Sequence, residues 1–367
     1  MTRRLESSTD GFPSPAAEAL TARPAPDDYQ PPAWMRGRHL QTVWPALTAF
    51  AAPRIAYHRV RWETPDKDFI DLDWTTDTAA GAPGDGPLVI LFHGLEGSSE
   101  SHYARSVMTH VAAAGWRGVV VHWRGCSGEP NLLARAYHSG DSDEVDWIVR
   151  RLRPDFVAGV SLGANAILKW LGMPGSSTES LRAAAAVSAP QDLEAAAIAL
   201  SRGVNRLYCE NFLVTMKRKS ILKLDRFPDL YDRRKVLEAR DFFDFDDAVT
   251  APLHGFEGAV DYWTRSSCKR FLRDIALPTL VLNARNDPFL PESALATRAQ
   301  VSSHVTLEYP AEGGHVGFVD RRLGSDWLPR RLMAFFVQHL AVPVPPQPSP
   351  ASVNDIGDEP QETRHAG

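Results

Sequence analysis

One stretch restricts the fold of this chain more than any other: Phe156-Val157-Ala158-Gly159-Val160-Ser161-Leu162-Gly163-Ala164-Asn165. Its apolar start predicts a strand. Ala166, Ile167 and Trp170 beyond it predict a helix. Between them lies a G-x-S-x-G spacing, which carries a serine on a sharp, strained strand-to-helix turn. Gly159 and Gly163 lack a Cβ, so the strand and the helix can pass close to each other there. Such a turn belongs in an open sheet with helices packed behind it, where ligands gather at the carboxyl ends of the strands. The same spacing also arises by chance. It gains meaning only if the rest of the chain supplies an acid, a base and amide donors at neighbouring strand ends.

Strand and helix patterns alternate on both sides of this stretch. Ile55–Trp62 and Phe69–Trp74 alternate in part, as half-exposed antiparallel strands do. Pro87–His93 and Arg117–Trp123 are continuous apolar runs suited to buried parallel strands. Residues 102–114 place Tyr103, Val107, Val111 and Ala114 on one helical stripe, and Asp143–Leu152 predicts another helix. Further strands are expected at Ala183–Ser188, Leu277–Asn283 and Val305–Tyr309, with helices over 291–300 and 325–341. From Asp192 to Ile275 the β pattern stops, and the chain is charged and partly helical. The expectation is an α/β fold with a mostly parallel, doubly wound sheet. The 192–275 segment would be a helical insertion forming a lid beside Ser161.

Composition narrows the function classes. Hydrophobic residues make up 44% of 367 residues, enough for one sizeable core. A net charge of −5 speaks against nucleic acid as a partner, since such proteins carry a basic surplus. No apolar run is long enough for a bilayer span. Arg3 and Arg4 are not followed by the apolar segment of a secretory signal. Cys126, Cys209 and Cys268 are odd in number and far apart, so neither a disulfide framework nor a metal site is expected, and the expected setting is cytoplasmic. Residues 1–30 and 342–367 are rich in Pro, Ala and polar residues and read as disordered tails around a folded 31–341. Trp34 and Trp44 lie in the first folded segment. It could lie over the mouth of a site, but an arm pinned to the core by its tryptophans is the preferred reading.

A serine hydroxyl needs a base to take its proton, and the base needs a group that orients it. Downstream, Asn286-Asp287-Pro288 follows a strand, and Gly313-Gly314-His315 follows the next one. Serine, then acid, then histidine is one of the known chain orders for such triads. Asp274, His304 and Asp320 are less well placed, and Ser188 lacks flanking glycines. The backbone N–H groups of Leu162 and of Leu95, in His93-Gly94-Leu95-Glu96-Gly97, are the candidate oxyanion donors. His93 reads as a loop-shaping residue. Cys126 is a nucleophile or, more commonly, a small buried apolar residue. Lys217-Arg218-Lys219 is a lipid-headgroup contact or, more commonly, a solvated helix face.

These residues resemble the YheT-type α/β-hydrolases, a group that includes plant embryogenesis-associated hydrolases and animal abhydrolase-domain lipases. The similarity rests on His39-Leu40-Gln41-Thr42, His93–Gly97, Arg124-Gly125-Cys126-Ser127-Gly128, Tyr137-His138-Ser139-Gly140, Gly159–Gly163, Ala251-Pro252-Leu253-His254-Gly255-Phe256, Asn286-Asp287-Pro288 and Gly313-Gly314-His315, and it spans residues 31–340. It implies an α/β-hydrolase fold and cofactor-free cleavage of carboxylic esters through an acyl-enzyme. The substrates it implies are short- to medium-chain or lipid-like esters, and the triad it implies is Ser161, Asp287 and His315. Animal members often carry a membrane anchor, which this sequence does not show; peripheral membrane contact stays open. Two other functions use the same framework. One is acyl transfer to an alcohol or thiol. The other is ligand binding with little turnover, against which the intact triad speaks.

Overall fold

The computed structural model describes residues 29–48, 55–76 and 86–341. Among the described residues one sheet carries eight strands: β1 (Tyr57–Glu63), β2 (Phe69–Thr75), β3 (Leu88–Phe92), β4 (Arg117–Val121), β5 (Phe156–Val160), β6 (Ala183–Val187), β7 (Thr279–Leu282) and β8 (Val305–Glu308). Their order is β1-β2-β4-β3-β5-β6-β7-β8. β2 runs antiparallel to β1 and β4, and the other pairings are parallel. The helices are α1 (Arg38–Thr48), α2 (His102–Ala113), α3 (Ser142–Leu152), α4 (Leu162–Leu171), α5 (Leu193–Leu200), α6 (Arg206–Arg226), α7 (Arg233–Glu238), α8 (Phe242–Phe245), α9 (Ala251–His254), α10 (Ala259–Ser266) and α11 (Trp327–Gln338).

Every residue of β3, β5 and β6 is buried. Side chains alternate across a strand, so these runs feed two apolar layers. Leu88, Ile90 and Phe92 pack with Val145 and Ile148 of α3 and with Ile167 and Leu168 of α4. Val89 and Leu91 join Val107 and Val111 of α2 and Leu332 and Phe336 of α11 on the opposite face. Ala183–Ala186 favour a helix by intrinsic propensity. Parallel pairing with both β5 and β7 overrides that preference. Helices α5 to α10 fill the stretch expected as an insertion and pack around an apolar cluster that includes Leu213, Phe245 and Trp263.

The structure departs from the sequence reading in four places. The expected helix over 291–300 is two separate 3₁₀ turns, Glu292–Ala294 and Arg298–Gln300. Between them, Ala296 N–H donates to the buried Gln191 side chain at 2.7 Å instead of to a helical carbonyl. β2 is buried along most of its length rather than half-exposed, because Asp71 and Asp73 on it are paired with Arg61 and Arg59 of β1 at 2.7 and 2.6 Å. Trp34 and Trp44 do not reach the core. They are 60% and 38% exposed and pack edge to face on each other. Ordered packing also begins earlier than residue 31, since Tyr29 is buried against Phe318 and Trp327. The rest of the two expected tails lies outside the described residues.

Candidate active site

β3 and β5 are neighbours, while the chain leaves β3 for β4 on its other flank. Such a reversal opens a crevice at the carboxyl ends of the strands. Ser161 stands there, between β5 and α4, with φ 53° and ψ −117°. A non-glycine residue in this region costs about 1–3 kcal/mol and persists only where its surroundings enforce it. A Cβ on Gly163 would lie 2.7 Å from the His93 carbonyl oxygen, so a side chain there would push α4 away from the end of β3.

Asp287 follows β7 and His315 follows β8; Asp287 reaches His315, and His315 reaches Ser161. His315 Nδ1 lies 2.8 Å from Asp287 Oδ2, and its Nε2 lies 3.0 Å from Ser161 Oγ. Asp287 is buried, and its Oδ1 accepts the Phe289 N–H at 2.8 Å. The Phe289 ring stacks on the His315 ring, with centroids 4.1 Å apart. A proton on Nδ1 facing the carboxylate leaves Nε2 as an acceptor toward the hydroxyl. Leu95 and Leu162 line the same space as Ser161. Leu162 is the first residue of α4, so its N–H has no acceptor within the helix.

A cavity of about 900 Å³ opens over Ser161 and His315, lined largely by apolar side chains of the insertion such as Leu200, Phe212, Met216, Phe245, Val249 and Trp263. Cys126 also lines it, but burial pushes its thiol up to about 11, which keeps it protonated and a poor nucleophile at neutral pH. His93 is fully buried with Nδ1 2.7 Å from the Gly94 carbonyl, and burial holds its imidazole down to about 3. It shapes the loop, as the sequence suggests. Lys217-Arg218-Lys219 is not a solvated face throughout. Lys219 pairs with Glu96 at 2.8 Å and Lys217 donates to the Leu237 carbonyl at 2.9 Å.

Four residues around the site entered the sequence reading without the part that the structure gives them, Gln41, Thr42 and Asn286 only within motif segments and Ser188 only as a weaker nucleophile candidate. Gln41, Thr42, Ser188 and Asn286 all accept hydrogen bonds from the backbone of residues 313–316. The available signal for the first two is an uncharged polar pair inside the otherwise aromatic and apolar segment 39–45.

The profile of the alpha/beta hydrolase fold family matches residues 87–321. The chain belongs to this family. Among curated α/β-hydrolase relatives, YheT of Escherichia coli (strain K12), whose name places it with the esterases, is 35% identical over 82% of this chain and 91% of its own. The phospholipase ABHD3 of Mus musculus is 31% identical over 80% of this chain and 74% of its own. The solved structure of an esterase from Pyrococcus furiosus, Pf2001, superposes with a TM-score of 0.50 at 14% identity, covering 78% of this chain and 93% of that one, a likeness of fold.

One carboxyl group in the cavity wall sets a pH dependence on this α/β-hydrolase. Asp246 sits in a π-helical turn, Asp246–Thr250, and its two oxygens accept from Thr250 Oγ1 at 2.7 Å and Trp263 Nε1 at 2.8 Å. Burial pushes its pKa from 3.8 up to about 6. The folded chain therefore keeps a proton that the unfolded chain has already released. The stabilising contribution is complete below 3.8 and is lost as pH rises through about 6. Asparagine can serve both partners without a charge. Asp246→Asn is expected to gain stability relative to the parent as pH rises, by on the order of 3 kcal/mol at pH 8. Urea unfolding of both proteins at pH 5 and pH 8 checks this, and a pH-independent difference would contradict it.

Proposed function

We propose that the protein is a serine hydrolase of carboxylic esters with an apolar acyl group. What carries this reading is the unbroken chain Asp287–His315–Ser161 ending at the floor of an apolar cavity. His315 Nε2 takes the proton of Ser161 Oγ as Oγ bonds to the acyl carbon. Asp287 keeps the proton on Nδ1 and steadies the imidazolium. The Leu95 and Leu162 amides hold the negative carbonyl oxygen. The intermediate collapses, the alcohol leaves with the Nε2 proton, and an acyl-enzyme remains. Water then gives a proton to Nε2 and its oxygen to the acyl carbon, and the acid is released as Oγ regains a proton.

The relatives named for esterase and phospholipase activity support an ester as substrate. In this reading the 192–275 insertion is a lid that shapes the acyl cavity, and the three free, buried cysteines suit a reducing, cytoplasmic setting. Among the described residues, no helix is long and apolar enough to cross a membrane. The test is labelling with a fluorophosphonate probe, followed by hydrolysis of p-nitrophenyl esters of graded chain length. Labelling is expected at Ser161 alone. Turnover is expected to rise with chain length until the apolar cavity is filled. Labelling at another residue, or none, would sink the proposal.

A further inference from the structure

We infer that Gln41 and Thr42 of α1 are positioning residues for the reaction: they clamp the loops carrying Asp287 and His315 together. This rests on the triad reading above. The Gln41 side chain is fully buried and uses both ends. Its Oε1 accepts from Asn286 Nδ2 at 3.0 Å, next to Asp287, and from Gly313 N–H at 2.9 Å, two residues before His315. Its Nε2 donates to Glu312 Oε2 at 3.1 Å and to the Met35 carbonyl at 3.0 Å. One side chain therefore touches both loops. Asn286 closes the ring, because its Oδ1 accepts the Gly314 N–H at 3.0 Å.

Thr42 acts on the histidine itself. Its Oγ1 accepts the His315 N–H at 2.9 Å and donates to the Arg38 carbonyl at 2.7 Å, which fixes the hydroxyl's direction. The loop needs this support. Val316 and Phe318 have φ of 62° and 40°, which side chains disfavour, and a Cβ on Gly314 would stand 2.8 Å from Thr42 Oγ1. Backbone held in such conformations persists only where the surrounding structure enforces it. Neither Gln41 nor Thr42 lines the cavity, so neither meets the acyl group. Their action on chemistry runs through the place of the imidazole.

Misplacing a catalytic group by about 1 Å costs about 10²-fold in rate. Thr42→Val keeps the shape and removes the acceptor for the His315 N–H. We expect it to lower kcat on a p-nitrophenyl ester by about 10- to 100-fold, with KM within about threefold of the parent. Thr42→Ser restores the hydroxyl and is expected to recover most of kcat. Gln41→Leu is expected to lower kcat further, and its melting temperature shows whether the fold survives. A Thr42→Val enzyme with parental kcat, a loss shared equally by Thr42→Val and Thr42→Ser, or a change in KM alone would overturn the clamp. Ser161→Ala measured alongside separates the two ideas. If it stays active, the triad reading fails. If it is dead while Thr42→Val is unimpaired, only the clamp fails.

Discussion

Ser161→Ala is expected to lower kcat by about 10⁶-fold, leaving only the rate that the oxyanion amides and binding supply without a nucleophile. The geometry explains the size of this loss. Ser161 Oγ is the hydroxyl that His315 Nε2 reaches at 3.0 Å. Cys126, the thiol in the cavity, is held protonated by burial, so it offers no substitute. Alanine removes one atom at the cavity floor, so substrate binding should change little. Steady-state kinetics and a melting curve check both halves. A variant keeping more than about one per cent of parental kcat would place the nucleophile elsewhere, because a lost nucleophile costs far more than that.

Asp287→Asn is expected to cost about 10⁴-fold in kcat while leaving the fold intact. Asp287 Oδ1 is held by the Phe289 N–H, so an asparagine there keeps its oxygen on that donor and turns its NH₂ toward His315. Nδ1 must then accept. The imidazole proton moves to Nε2, which donates to Ser161 and can no longer take its proton. The substitution reverses the direction of the whole chain with almost no change in shape. Proton NMR of the imidazole should show the N–H resonance leaving Nδ1. Activity within tenfold of the parent would remove Asp287 from its assigned role.

The hydrogen-bonded arrangement of Ser161, His315 and Asp287 was legible because each residue follows a strand and is marked by local turn chemistry. Glycines flank Ser161, a proline follows Asp287, and paired glycines precede His315. The buried runs at β3, β5 and β4 after its first residue, Arg117, were equally plain, since no polar residue interrupts them. What failed to show depends on partners far away in the sequence. Asp71 and Asp73 make β2 look half-wet until Arg61 and Arg59 are seen beside them. Lys219 looks solvated until Glu96 is found under it. Ala296 continues a helical pattern, but the Gln191 side chain takes its N–H. For Gln41 and Thr42 the sequence shows only an uncharged polar pair, because no pattern within one turn of α1 refers to residues 286 and 312–315.

That separation has a consequence for how the protein is made. Gln41 and Thr42 meet their partners across 245 to 273 residues of chain. At a synthesis rate of about 5–20 residues per second, α1 leaves the ribosome roughly 14 to 55 s before the His315 loop does. During that interval Gln41 has only the nearby Met35 carbonyl to hold. Contacts of such long range close late, because loop entropy must be paid before they form. The contacts that join α1 to the His315 loop can therefore form only after the chain has been made beyond residue 315.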